Sequence, residues 1–352
     1  MASGRILIYG ATGYTGKLVA REAARRGLDV VLAGRDAGRL KIVGDAHGFE
    51  TRAVALDDAP RLAAALDGIA AVLHIAGPFS KTSRPMVDAC LATRTHYLDV
   101  TGEIDVFEAL ARRDDEAKRA GILLLPGVGF DVVPSDCLAV HVADRVDEPT
   151  RLRIGLAGLG GGASRGTTRT MLESFADGLR VRHQGVLVRR PMGSLEHHFD
   201  LGAGPLRGVA LPLADLASAF HSTGIPNIET YIVVSGAIPT LLKASRFAAP
   251  LLRLEAVQRY LSARIDALPE GPDEATREST RAIVLAEVEG PGGQRAAAML
   301  ETPSGYAMTQ LAAIESARRA AEGLAPIGYQ TPATAFGADF ALACSDSRRT
   351  DL

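Results

Sequence analysis

Arg5 to Gly16 reads R-I-L-I-Y-G-A-T-G-Y-T-G. Ile6 to Tyr9 is a short apolar run of strand character, Gly10 breaks it, and a helical pattern follows with Leu18, Val19 and Ala23 on one face. A helix that begins directly behind a strand offers unpaired backbone N–H groups and the positive end of its dipole. A pyrophosphate reaches them only where side chains are absent. Gly10, Gly13 and Gly16 supply that absence, so Gly10, Thr12, Gly13, Tyr14, Thr15 and Gly16 form an expected dinucleotide contact. A G-x-x-G-x-x-G run alone is weak evidence, and its meaning rests on what surrounds it.

The surroundings alternate regularly. A second strand, Asp29 to Ala33, ends in Gly34-Arg35, one βα unit plus a strand beyond Gly10. That interval sets Arg35 beside the ribose of a dinucleotide, where a cation suits a 2′-phosphate and an acid would suit a free hydroxyl. The expected cofactor is therefore NADP(H). A third strand, Glu50 to Leu56, ends in Asp57-Asp58; Asp57 is placed to accept from an adenine amine, and Asp58 to cap the following helix. A fourth, Ala71 to Ala76, runs into Gly77-Pro78-Phe79 at the carboxyl edge of the sheet. There Gly77 allows close backbone approach, and Pro78 and Phe79 are expected to wall the nicotinamide side.

Helix Pro85 to Ala92, strand His96 to Val100, turn Thr101-Gly102-Glu103, helix Val106 to Arg119 and strand Ile122 to Leu125 continue the alternation. Gly102 joins the expected cofactor contacts. Strands alternating with crossovers predict an α/β fold with a doubly wound parallel sheet, the Rossmann arrangement, in the order 3-2-1-4-5-6.

P-G-V-G-F-D-V-V-P-S-D after Leu125 reads as a hinge. Strands Thr150 to Gly158, Gly185 to Val188, Glu229 to Val234, and a hairpin of Arg281 to Glu289 with Ala296 to Glu301 predict a second, α+β, mostly antiparallel domain. A helix is expected over Ser164 to Asp177 and another over Gly305 to Glu322. Ile238 to Arg264 is amphipathic and reads as a core or homodimer face ahead of a peripheral lipid contact. Gly328 to Gly337 reads as a turn returning to the first domain, and the polar tail from Ser345 as frayed. The expected limits are residues 1–133 with 326–352 for the nucleotide domain and 134–325 for a substrate or dimerisation domain.

The chain has 352 residues, a net charge of −2 and 23% charged residues, without the basic footprint of a nucleic-acid binder. A small-molecule or acyl substrate is the expected partner. Cys90, Cys137 and Cys344 match no metal or disulfide spacing, so no metal is expected. The first strand begins without room for a signal peptide and no apolar run is long enough to span a bilayer, so a cytoplasmic location is expected.

Gly162-Ala163-Ser164-Arg165-Gly166 matches the G-x-S-x-G of a hydrolase elbow, with Asp177, Asp200, Asp215 and His221 following. It lies outside the parallel sheet that an elbow needs, and a flexible turn with Ser164 as helix cap explains it better. No tyrosine has lysine four residues on, which disfavours the short-chain reductase proton relay.

G-A-T-G-Y-T-G, A-G-P-F at Ala76 to Phe79, Y-L-D-V-T-G-E at Tyr97 to Glu103, G-V-G-F-D-V-V-P-S-D at Gly127 to Asp136, S-R-G-T at Ser164 to Thr167 and the T-P-A-T-A-F-G ending at Gly337 together resemble the saccharopine dehydrogenase-like NADP-binding family. Within it the chain looks closest to the branch of trans-acting enoyl reductases. The resemblance implies an NADP(H)-binding domain completed by the C-terminal segment, and reduction of a conjugated C=C on an acyl group linked to a carrier or coenzyme A. Amino-dicarboxylate C=N chemistry and non-catalytic NADP(H) binding are the alternatives. For the proton donor the candidates are Asp131 and Asp136 beyond the sixth strand, Glu103 after the fifth, and His221 in the second domain.

Overall fold

The computed structural model describes residues 4–158, 162, 164–168, 178–200, 204–233 and 255–352. They fall into two compact units, Met1–Val133 with Tyr306–Ser345, and Pro134–Gly305 with Asp346–Leu352.

The first unit strings β1 (Ile6–Tyr9), α1 (Tyr14–Arg25), β2 (Val30–Gly34), α2 (Ala37–His47), β3 (Glu50–Ala53), α3 (Ala59–Ala65), β4 (Ala71–His74), α4 (Phe79–Thr93), β5 (His96–Asp99), α5 (Ile104–Ala111), α6 (Asp114–Ala120) and β6 (Leu123–Leu125) along the chain. Every strand of its sheet is parallel to its neighbours, in the order β3-β2-β1-β4-β5-β6 with a seventh, β15 (Gly328–Tyr329), beside β6. This is the expected doubly wound order.

Period-two alternation divides the apolar strands between two cores. Leu7, Val31, Val72 and Leu124 face Leu62, Met86, Val87 and Leu110 of the α3 to α5 layer. Ile6, Ile8, Leu32, Leu73 and Leu98 face Val19, Ala20 and Ala23 of α1. Each fully buried aliphatic side chain contributes roughly 1.5–3 kcal/mol, so the sheet is held on both faces.

The expected helix over Val106 to Arg119 is two helices. Arg113 interrupts it at φ −100°, ψ 11°, and its guanidinium pairs with Glu116 and Asp88. The acids Asp114, Asp115 and Glu116 then begin α6, where a helix dipole favours negative charge.

In the second unit a mixed, mostly antiparallel sheet runs β10-β11-β12-β7-β13-β14-β16, with β8 pairing β12 and β9. Its elements are α7 (Val133–Ala143), β7 (Arg151–Ala157), β8 (Leu179–His183), β9 (Val186–Arg190), β10 (Glu196–Asp200), β11 (Pro205–Ala210), α8 (Asp215–Thr223), β12 (Asn227–Val233), α9 (Glu255–Asp266), α10 (Glu274–Ser279), β13 (Arg281–Glu289), β14 (Arg295–Pro303) and β16 (Arg348–Asp351). Phe199, 1% exposed, fills the space left by two glycines: a Cβ on Gly155 or Gly208 would come within 2.8 or 3.1 Å of its ring.

Two expected limits shift. α11 (Gly305–Ala321) buries Ala313, Ile314 and Ala317 in the α1-side core of the first sheet, so it belongs with the first unit. The polar tail is not frayed: β16 pairs antiparallel with β14, and Asp351 is held by His141 and Arg145. The expected turn near Gly328 contains β15 and α12 (Pro332–Phe336), opened by a capping box between Thr331 and Thr334, followed by α13 (Phe340–Cys344). Most of the expected Ser164 to Asp177 helix, and residues 238–254 of the amphipathic segment, lie outside the described residues. Ser164 caps the described turn 165–168 by accepting from the Thr167 amide at 3.2 Å.

Candidate cofactor site

β1 ends because Gly10 takes φ +93°, a conformation that L side chains avoid, and a Cβ there would lie 2.9 Å from the Ala76 nitrogen. Gly16 is equally constrained, since a Cβ would come 2.3 Å from the Gly10 oxygen. Gly13 differs from both. Its φ is an ordinary −77°, it is exposed, and the atom nearest to an added Cβ is the Gly10 oxygen at 3.5 Å. Folding therefore accounts for Gly10 and Gly16 and leaves Gly13 unexplained. Gly13 is the N-cap of α1, with no side-chain cap and no acid in the first helical turn. The Gly13 amide closes the turn on the Gly10 carbonyl at 3.1 Å, and the first turn of α1 behind it has no side-chain cap where an anion would seat. Tyr14 turns aside to pack edge-on against Tyr306 at 5.0 Å.

Two exposed residues lie beyond the ends of the neighbouring strands β2 and β3. Arg35 follows β2 and Asp57 follows β3. Burial raises the Tyr9 phenol, Arg35 opposes the rise and Asp57 adds to it, so both charges act on the same hydroxyl. A third residue, Arg39 on α2, was not anticipated. Its guanidinium donates to the Thr12 carbonyl at 3.4 Å, which brings a second cation to the glycine turn. The signal was its spacing, one helical turn beyond Arg35. Asp36 and Asp58 cap α2 and α3 through the amides of Arg39 and Arg61.

The β4 side departs from expectation at Phe79. Instead of walling a crevice, Phe79 is 8% exposed and turns into the core, where it meets the His74 ring edge-on at 5.5 Å. His74 is fully buried, and neither ring nitrogen has a hydrogen-bond partner among the described residues. Burial pushes its pKa down to about 3, so the ring stays neutral. Gly77 remains exposed at the edge and Pro78 half-buried. Thr82 braces their turn by donating to the Ala76 carbonyl at 2.6 Å.

Glu103 is also reassigned. Its two carboxylate oxygens accept from the amides of Phe79 (2.7 Å) and Ser80 (2.8 Å), capping α4 from another loop. Both oxygens of Glu103 are thus engaged in closing α4. Asp136 is fully buried in the second unit and accepts from Ser222 at 2.8 Å. His221 lies beside Ser222 in the last turn of α8. These two share neither unit nor sheet edge with the glycine turn. Asp131 does belong to that edge: it is exposed, makes no hydrogen bond among the described residues, and places Oδ2 3.1 Å from where a Gly102 Cβ would stand. No group of three or more His, Cys, Asp or Glu suited to a metal occurs among the described residues.

Residues 6–125 match the family described as the saccharopine dehydrogenase NADP-binding domain. The first unit carries a domain of that family. The cofactor of that domain is NADP(H). A protein of Mycobacterium tuberculosis named as a trans-acting enoyl reductase is 36% identical over 182 residues, 48% of this chain and 43% of the relative. A trans-acting enoyl reductase of Mycobacterium leprae is 34% identical over 151 residues, 41% of this chain and 36% of the relative. The match thus spans less than half of these relatives' length. Among solved structures, apo saccharopine dehydrogenase (L-Glu forming) from Saccharomyces cerevisiae superposes with a TM-score of 0.67, over 99% of this chain and 100% of that one, at 12% identity. The likeness establishes a shared fold. No described helix is long and apolar enough to cross a membrane.

Proposed function

We propose that the chain is an NADPH-dependent reductase of a conjugated carbon–carbon double bond on an acyl group carried by coenzyme A or a carrier protein. The observation that supports the cofactor half is the uncapped start of α1 at Gly13, a glycine that the fold itself does not require. The name shared by the relatives supports the reaction half.

In this reading Gly10, Thr12, Gly13, Tyr14, Thr15 and Gly16 hold the pyrophosphate. Arg35 and Arg39 take the 2′-phosphate as a pair of cations. Asp57 meets the adenine amine, and Gly77, Pro78 and Gly102 admit the nicotinamide against backbone. When bound, NADPH supplies a hydride. What the chain must add is a proton for the α-carbon and a donor for the developing enolate oxygen. Asp131 takes the first role, because among the four candidate donors it is the exposed carboxyl that stands beside Gly102 at the sheet edge.

The test follows NADPH absorbance against a panel of enoyl thioesters. Wild type consumes NADPH, and Asp131→Asn loses about 100-fold in turnover with NADPH affinity unchanged. Tight NADPH binding without turnover would instead mark a non-catalytic binder. Reduction of added NADP+ by an amino-dicarboxylate would mark the saccharopine-type alternative.

A further inference from the structure

The motif Y-L-D-V-T-G-E, Tyr97 to Glu103, has chemistry that the proposed reaction leaves unused. In an extended chain every second side chain points the same way, and here every second residue is polar. The Tyr97 hydroxyl donates to Asp99 Oδ2 at 2.7 Å. Asp99 Oδ1 accepts the amides of Thr101 (2.9 Å) and Gly127 (3.0 Å). Thr101 Oγ1 accepts the Glu103 amide at 3.1 Å, and Glu103 accepts the amides of Phe79 and Ser80. Tyr97, Asp99 and Thr101 are at most 1% exposed. One continuous run of hydrogen bonds therefore ties together the loops that follow β4, β5 and β6. Gly102, between its last two members, is the residue on which Asp131 rests.

We infer that Glu103 is a positioning residue: through the strap Tyr97-Asp99-Thr101-Glu103 it fixes the Gly77-Pro78-Phe79 turn and the Gly102 platform, and so sets the nicotinamide against the substrate. The inference rests on the cofactor placement proposed above. Two features separate this role from ordinary helix capping. The cap comes from a different loop, 24 residues along the chain from Phe79, where capping groups normally lie within one turn of the helix they close. The turn that it holds also contains an aromatic ring packed edge-on against His74, and His74 in turn packs against Tyr97, the first member of the strap.

The experiment compares wild type, Glu103→Gln and Thr101→Val in the full chain. The first readout is hydrogen exchange at the Phe79 and Ser80 amides. Glu103→Gln, which keeps one acceptor and loses the other, should raise exchange about tenfold there and leave α1 unchanged. Wild-type protection in both variants would overturn the strap itself.

The second readout separates the two halves of the cofactor. The isolated adenosine bisphosphate half of NADP should bind Glu103→Gln as it binds wild type. With NADPH, the nicotinamide fluorescence should shift and kcat should fall about tenfold, while KM for NADPH stays within about a factor of two. Thr101→Val should show the same pattern at smaller amplitude. Equal losses for NADPH and for the adenosine half would reduce Glu103 to a general structural cap and overturn the inference. Unchanged fluorescence and kcat, despite faster exchange, would do the same. Failure of wild type to bind NADPH would instead defeat the cofactor placement, and with it the role toward the nicotinamide, while the exchange data would still show whether the strap exists.

Discussion

α1 and α4 both begin at the carboxyl edge of the first sheet, behind the adjacent strands β1 and β4, and they treat their exposed amides in opposite ways. α1 opens on a bare glycine without a capping side chain. α4 has no cap of its own either, but Glu103 reaches across and fills it with a carboxylate. The same backbone physics thus yields an open anion site at one helix and a closed one at its neighbour. The difference lies in one glycine and one glutamate, and in the proposed reading it separates the phosphate side of the crevice from the uncharged side.

The comparison breaks most sharply if α1 is made to resemble α4. In Gly13→Asp the new carboxylate has space, since only the Gly10 oxygen lies near, at 3.5 Å. It would accept from the first-turn amides and so compete with the pyrophosphate. NADPH affinity should fall about 100-fold or more, equivalent to about 3 kcal/mol, while thermal stability holds or rises by the worth of a good N-cap, about 1 kcal/mol. Titration of NADPH fluorescence beside a melting curve checks both. A variant that melts early would show that Gly13 serves folding after all.

A second substitution sharpens the comparison from the closed side. Asp99 is fully buried, and burial raises its carboxyl to about 6, against the hydrogen bonds from Thr101, Tyr97 and Gly127 that favour the charged form. The folded pKa stands above the ordinary 3.8. The group therefore favours folding below that ordinary value, and the contribution is lost as pH rises through about 6; ionised, it costs roughly 2–3 kcal/mol. In Asp99→Asn, Oδ1 can still accept the Thr101 and Gly127 amides while the new amide donates to Tyr97. Stability at about pH 8 should rise by about 2 kcal/mol, with little change at about pH 4, as read from denaturant midpoints. Destabilisation at the higher pH would mean that the charged hydrogen bonds outweigh the burial.

Much of this was legible before any coordinates. Ile6 to Tyr9, Gly10 and the Leu18, Val19, Ala23 stripe specify strand, turn and helix by purely local rules, and short crossovers leave one strand order. The second unit was less legible. β10 is Glu-His-His-Phe-Asp, polar enough to pass for a loop, and it is a strand that pairs with β11 and packs His197 and Phe199 on Tyr231 of β12, beyond β11. β15 has two residues and exists only beside β6. At the site the same division holds. Gly13 and Arg35 could be found from spacing along one βα unit. The inward turn of Phe79 depends on His74 beneath it, and the role of Glu103 on an amide pair from another loop. Neither leaves a local pattern.

The smallest expected effect concerns how α1 is held, given that its start is bare. Its other end is anchored by charge. Glu22, 5% exposed, pairs with Arg25 and Arg26, and Arg26 reaches Glu315 on α11 at 3.0 Å. Burial works against the Glu315 carboxylate, yet hydrogen bonds from Arg318 and Arg319 outweigh it and hold its pKa at about 2, below the ordinary 4.5. A depressed folded pKa contributes stability above the ordinary value, and that stability is lost as pH falls towards about 2. Glu315→Gln removes the shared acceptor, but Arg26 keeps Glu22 and Arg318 keeps Glu322. The loss at neutral pH should therefore be about 1 kcal/mol rather than the larger figure for an unpaired buried charge. It should shrink below about pH 4.5 and vanish only as pH falls to about 2, where the wild-type carboxylate also protonates, and NADPH affinity should stay within about a factor of two, because the open amides lie at the far end of the helix. A large loss of NADPH affinity would show instead that the ion pairs between α1 and α11 set the pose of the glycine turn itself.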